Sequence, residues 1–270
     1  MIVPRPYQSE AVEAVYEHLR TKDNNPCVVL PTGTGKSLVL AQIAKDAVEK
    51  WNGRVLILAH VKELLEQNAD KIRKLCPELK IGIYSAGLKS RDTAEQVIVA
   101  GIQSVYNKAC ELDAFDLVIV DEAHLISSEG DGMYRTFLSD MKVINPHVRV
   151  IGLTATPFRL KGGLICKPEN ILNEICYEAG LKEMIQQGYL SPLISRAGRA
   201  EANLANLHIR GGEFISDEVA AAMDNDALVT SACREIVELT RDRKSVLIFT
   251  ASVDHCKHVA EKIQAFSGKE

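Results

Sequence analysis

Short apolar runs rich in β-branched residues recur along this chain at Cys27 to Leu30, Arg54 to Ala59, Lys80 to Tyr84, Gln96 to Ala100, Leu117 to Val120 and Val148 to Leu153. Between several of them lie stretches with apolar residues at helical spacing. Leu64, Ile72 and Leu75 mark one within Val61 to Leu75, and Met133, Phe137 and Met141 mark another. Runs this short and continuously apolar fit strands buried on both faces. Strand and helix in alternation therefore predict an α/β fold with a central parallel sheet covered by helices. Sheets of that kind bind ligands beyond the carboxyl ends of their strands.

Composition supports a folded, water-soluble chain. Of 270 residues, 46% are apolar and 25% charged, which excludes the polar, highly charged signature of disorder. No window approaches 18 consecutive apolar residues, and Met1-Ile2-Val3-Pro4-Arg5-Pro6 has no leader pattern, so a cytoplasmic protein with no membrane partner is expected. Seven cysteines, none two residues from another, form neither a disulfide framework nor paired zinc knuckles. His255, Cys256 and His258 read as an exposed helix rather than a metal site. A net charge of −4 announces no nucleic-acid binder, although a local basic cleft does not require a basic total.

After Leu153 the rhythm weakens. Leu160 to Asn170 reads as a loop, Ala179 to Gln187 as a short helix stopped by Gly188, Leu193 to Ala197 as a strand, and Asn203 to Asp217 as a linker or hairpin around Gly211-Gly212. Order returns with a helix over Asp226 to Thr240, an apolar strand over Ser245 to Phe249, and a helix capped by Asp254 that runs toward Phe266. The expected organisation is a first domain over 1–205, a linker over 206–225, and the opening of a second parallel sheet over 226–270.

Three motifs carry chemistry. Strand Cys27 to Leu30 runs into Pro31-Thr32-Gly33-Thr34-Gly35-Lys36-Ser37 and then a helix. Its glycines let backbone N–H groups turn toward an anion, Lys36 can reach β and γ phosphates, and Ser37 can ligate Mg²⁺. Leu30 stands where the full consensus has its first glycine. Second, Leu117 to Val120 delivers Asp121-Glu122-Ala123-His124, with Asp121 as the metal-side acid and Glu122 placed to orient or deprotonate water. Third, Val148 to Leu153 ends in Thr154-Ala155-Thr156, hydroxyls that can relay phosphate occupancy.

With Arg5-Pro6-Tyr7-Gln8 ahead of them, these motifs resemble in content and order the superfamily 2 helicases. Leu58 to Leu64, Thr154 to Arg159 and Val246 to Thr250 are similar to the bacterial RadD-type DNA helicases and to the motors of type I and III restriction enzymes. The resemblance implies a RecA-like P-loop NTPase lobe followed by a connector and the start of a second such lobe. It implies ATP and Mg²⁺ as cofactors, with Gln8 reading the adenine edge and Arg5 and Tyr7 beside the base. The loop Thr32, Gly33, Thr34, Gly35, Lys36 and Ser37 would hold the phosphates. His124, Thr154 and Thr156 would couple the γ-phosphate to lobe movement. His60, Lys62, Gly101, Gln103, Ser104 and Arg159 would contact nucleic acid, while Lys89 and Arg91 read as solvated. DNA is the expected partner rather than RNA, with a monomeric motor serving repair alongside repair proteins. A restriction-enzyme motor and an RNA helicase are the alternatives, and a non-hydrolysing binding module or a small-molecule kinase fits the motifs less well. The arginine-rich motif of the second lobe is missing from the expected place, because Gly198-Arg199 precedes Val246 to Thr250. These residues alone are therefore expected to bind Mg-ATP and hydrolyse it slowly.

Overall fold

The computed structural model describes residues 3–126, 132–159, 163–195, 198–199, 201–210 and 213–268. Two compact units divide the chain, Met1–Pro192 and Leu193–Glu270. The first opens with α1 (Pro6–Thr21), β1 (Pro26–Val29), α2 (Lys36–Trp51), β2 (Val55–Ala59), α3 (Lys62–Leu75), β3 (Ile81–Ser85), β4 (Ser90–Arg91) and β5 (Val97–Gly101). Short helices α4 (Ile102–Val105) and α5 (Ala109–Leu112) then lead to β6 (Leu117–Asp121), α6 (Met133–Ile144) and β7 (Arg149–Thr154). The unit ends with β8 (Phe158–Arg159), β9 (Gly163–Leu164), β10 (Glu174–Glu178) and α7 (Leu181–Gln186).

Eight strands form one sheet in the order β10-β1-β7-β6-β2-β5-β3-β4, parallel throughout except where β4 returns against β3. Side chains of a strand alternate between its faces. Val28, Val55, Ile57, Val97, Ile119 and Ile151 thus join one core with residues of α1, α2 and α3, such as Ala11, Ile43 and Ile72. Cys27, Leu56, Leu58, Ile98, Val118 and Val150 join a second core with Val105, Leu112, Phe137 and Met141 of α4, α5 and α6. Burial on both faces is why these strands read as continuous apolar runs. Because β1, β7, β6, β2 and β5 are neighbours and parallel, their carboxyl ends bring the motif segments to one edge.

The structure departs from the sequence reading at three places. β10 carries no strong signal in the sequence, yet it pairs with β1 at the sheet edge. The loop expected over Leu160 to Asn170 contains β9, paired antiparallel with β8, while 160–162 lie outside the described residues. No strand forms over 193–195, and the rest of the strand expected at Leu193 to Ala197 lies outside the described residues.

The second unit contains β11 (Ile209–Arg210), β12 (Glu213–Phe214), α8 (Ser216–Met223), α9 (Asp226–Leu239) and α10 (Val253–Ser267). Within Asn203 to Asp217, read as a linker or hairpin, β11 and β12 of the second unit pair antiparallel. Its core is small, built on Val229, Cys233 and Val259. Asn225 caps α9 by accepting from the N–H groups of Ala227 and Leu228. Ser252, not Asp254, caps α10 by accepting from His255 N–H at 3.1 Å, and Asp254 sits in the first turn, where the helix dipole favours a negative charge. Ser245 to Phe249 forms no strand. A strand needs a neighbour for its backbone groups, and this segment pairs with none of the described strands. His258 is held by Asp224 at 2.6 Å and Asp226 at 3.1 Å, and among the described residues no cluster of His, Cys, Asp and Glu could hold a metal ion. No described helix is long and apolar enough to cross a membrane.

Candidate active site

The chain leaves β1 at Val29 and re-enters a helix at Lys36. Gly33 and Gly35 take φ of +87° and +83°, a region open to glycine without strain. At Gly35 a Cβ would also stand 2.7 Å from Gln8 Nε2. Thr34 is buried and folds the loop on itself, its N–H and Oγ1 both donating to Pro31 O at 3.3 and 2.6 Å. The loop opens onto the start of α2, whose first-turn N–H groups and partial positive charge suit a phosphate. Lys36 Nζ donates to Leu30 O at 3.4 Å and lies 3.9 Å from Glu122 Oε1. Leu30 itself is wholly buried in the core, and its N–H donates to Thr154 O, which accounts for an apolar residue at that consensus position.

Asp121 ends β6, two strands from β1, with only 7% of its surface exposed. Its Oδ2 accepts from Asn68 Nδ2 at 2.7 Å and its Oδ1 from Glu122 N–H at 3.0 Å. Burial still pushes its carboxyl above the usual range, which leaves a carboxylate that a cation would stabilise. Glu122 adopts φ +50°, unusual for a residue with a side chain and a form of strain concentrated at functional sites. Contact with His124, and after it the charge of Lys36, holds the Glu122 carboxyl below its ordinary value. His124 Nδ1 lies 3.3 Å from Glu122 Oε2 and 3.0 Å from Thr154 Oγ1. Thr154 Oγ1 accepts from Thr156 N–H at 3.1 Å. A continuous polar chain thus runs from Lys36 through Glu122, His124 and Thr154 to Thr156.

Ser37, the second residue of α2, accepts from Lys71 Nζ at 3.1 Å. Its hydroxyl and the Asp121 carboxylate are hard oxygen donors, and Mg²⁺ takes few protein oxygens beside phosphate and water. The donor set therefore fits that ion. A cavity of about 360 Å³ opens beside it, lined by Arg5, Gln8, Gly33 to Gly35, Ser37, Lys71 and Lys74 among others.

Gln8 and Tyr7 sit at the start of α1 against this loop. Tyr7 OH and Gln8 Nε2 both donate to Thr34 O, at 2.7 and 2.8 Å, while Gln8 Oε1 accepts from Arg5 N–H at 2.8 Å. Both ends of the Gln8 amide are thus engaged within the protein and tie the motif to the phosphate loop. Each end keeps capacity for one further bond to a base. Arg5 lies over the ring of Tyr189 at 5.1 Å, and Tyr189 meets Tyr7 edge-on at 4.9 Å.

Of the residues expected at nucleic acid, His60 and Lys62 follow β2, Gly101 ends β5 with Gln103 and Ser104 after it, and Arg159 follows β7. Gln103 Nε2 donates to His60 O at 2.7 Å, which joins the two segments. Lys62 is exposed at the first position of α3. Gly101 permits close packing, since a Cβ there would meet Leu65 at 3.2 Å. Ser104 Oγ accepts from Ala86 N–H, and α4 is a single turn, which gives little of a helix-start anion site. Arg159, on β8, donates to Ile126 O at 3.4 Å.

Asn68, Lys71 and Tyr189 were not singled out in the sequence. Asn68 had a visible signal, because it lies on the buried stripe of α3 with Leu65, Ala69 and Ile72. A polar residue on such a stripe needs a partner. Tyr189 offered none, since it reaches Tyr7 across the whole unit.

Residues 1–159 match the family described as type III restriction enzyme, res subunit. Over 269 residues the chain is 25% identical to IRC3 of Saccharomyces cerevisiae, covering 94% of this chain and 38% of that protein. It is 32% identical over 182 residues to the DNA 3'-5' translocase XPB2 of Sulfurisphaera tokodaii, covering 67% of this chain and 36% of that one. The Hef helicase domain of Pyrococcus furiosus shares the fold with a TM-score of 0.52 at 22% identity, covering 100% of this chain and 56% of that chain. The chain spans about two fifths of the length of its first curated relatives, 38% and 41%. With a RecA-like sheet and a family match over more than half its residues, the chain belongs to the family of type III restriction enzyme res subunits.

Proposed function

We propose that this chain is the nucleotide-binding part of an ATP-driven DNA helicase or translocase of the RadD type, a cytoplasmic monomer that serves DNA repair. The observation that supports it is that Glu122 lies against both Lys36 and Asp121 at the carboxyl ends of β1 and β6 and is wired through His124 to Thr154 and Thr156, with Ser37 following Lys36 at the start of α2. In this reading the start of α2 and Lys36 bind the β and γ phosphates. Ser37 and Asp121 hold Mg²⁺, which would neutralise phosphate charge when bound. Glu122, ionised at neutral pH, orients the attacking water and takes its proton. Phosphate entering the loop draws Lys36 away from Glu122, and the change passes along His124 and Thr154. Arg5, Tyr7 and Gln8 border the base. His60, Lys62, Gly101, Gln103, Ser104 and Arg159 face nucleic acid, and the second unit begins a second RecA-like lobe.

The family match also favours a second reading, in which the same motor drives a restriction endonuclease. ATP hydrolysis by the native protein, measured with single-stranded DNA, duplex DNA and RNA, tests both. Stimulation by DNA without cleavage is expected. Stimulation by RNA alone would overturn the choice of DNA, and ATP-dependent cleavage of duplex DNA would support the restriction motor.

A further inference from the structure

We propose that Asn68 is a positioning residue for the metal-side carboxylate: it fixes Asp121 so that its free lone pairs face the cation of a bound Mg-nucleotide. This rests on the reading of Ser37 and Asp121 given above and deepens it. Asn68 is 2% exposed, on a stripe of α3 that otherwise buries Leu65, Ala69 and Ile72. An amide buried among apolar groups is costly unless it is bonded, and its bond here is the 2.7 Å donation to Asp121 Oδ2.

The second Asp121 oxygen accepts from Glu122 N–H at 3.0 Å. Each oxygen therefore has one protein donor, which stops the carboxyl from turning and leaves lone pairs for a metal. A neutral donor is the suitable one. A lysine or arginine at this place would orient the carboxylate but cancel the charge that attracts Mg²⁺, and leucine would fill the space without orienting anything. The same helix reaches the other proposed oxygen ligand, since Lys71 donates to Ser37 Oγ at 3.1 Å. One helix thus touches both residues assigned to the metal, and partners of that kind tune metal sites strongly.

The test is titration of the intact chain with a fluorescent ADP analogue, in Mg²⁺ and in EDTA, for the wild type and Asn68→Leu. The variant is expected to keep its affinity in EDTA within about twofold and to lose about 10-fold of the tightening that Mg²⁺ brings. Wild-type Mg²⁺ dependence in the variant would overturn the proposal, as would an equal loss with and without Mg²⁺, the mark of a purely structural role. If the wild type shows no Mg²⁺-dependent tightening, the assignment of Ser37 and Asp121 fails and this inference with it. Should Asn68→Leu melt early and lose binding in EDTA, Asn68→Ser is judged by the same criteria.

Discussion

Leu117 to Val120 and Ser245 to Phe249 are both short apolar runs that read as strands. In the first unit Leu117–Asp121 lies between β2 and β7 and is buried at every position. In the second, Ser245 to Phe249 forms no strand, and Leu247 and Phe249 are 79% and 89% exposed. The segments are alike in length and apolar character and differ in their pairing. A strand is stabilised by partners on both sides and by cover on its faces, which the first unit supplies with two helical layers. It also explains where the chemistry sits. Lys36, Asp121, Glu122 and Thr154 owe their mutual placement to parallel pairing of β1, β7 and β6, and among the described residues of the second unit the strands form only the antiparallel pair β11 and β12.

The largest effect expected to sharpen this contrast comes from packing. Phe137→Ala, in the core under α6, should destabilise the first unit by about 3–5 kcal/mol in urea unfolding, whereas Phe249→Ser should change stability by no more than about 0.5 kcal/mol. Equal losses would mean that the exposed run is packed after all. Next comes binding. Lys36→Ala should weaken nucleotide affinity by about 10-fold to 100-fold, since it removes a charged donor to phosphate, while His258→Gln should leave it unchanged. Loss of binding in both variants, read by calorimetry, would break the assignment of the site to the first unit alone.

The smallest effect is electrostatic and belongs to the second unit. Bonding to Asp224, and then to Asp226, raises the His258 pKa above its ordinary 6.5. A group whose folded pKa is raised gives stability that is complete below its unfolded value and is lost as pH rises through the folded one. Thermal melting should therefore show the second unit losing a small increment of stability as pH rises from below 6.5, and His258→Gln should remove that slope. An unchanged slope in the variant would place its origin elsewhere.

Much of the first unit was legible because its strands are buried on both faces and its motifs depend on spacing. The phosphate loop, Asp121-Glu122 and Thr154 to Thr156 could be read in order and proved adjacent in space. β10 was not legible, since Glu174 and Glu178 bracket half-buried residues at a sheet edge. The strand read at Ser245 to Phe249 failed for the opposite reason, an apolar run with no partner. Gln8 was expected at the adenine edge, and its two internal bonds, one of them to the phosphate loop, depend on distances that sequence does not hold. Asn68 was half legible: periodicity put it on a buried stripe, and only the fold shows that Asp121 is what it meets.

The central claim is that the first unit holds a hydrolytic site in which Glu122 acts on water and is dispensable for holding nucleotide. Its most direct test is Glu122→Gln in the native protein, with Mg-nucleotide affinity and nucleic-acid-stimulated ATP hydrolysis measured side by side. Affinity should stay within about threefold of the wild type while hydrolysis falls by about 10²-fold to 10⁴-fold. Hydrolysis at the wild-type rate would contradict the account.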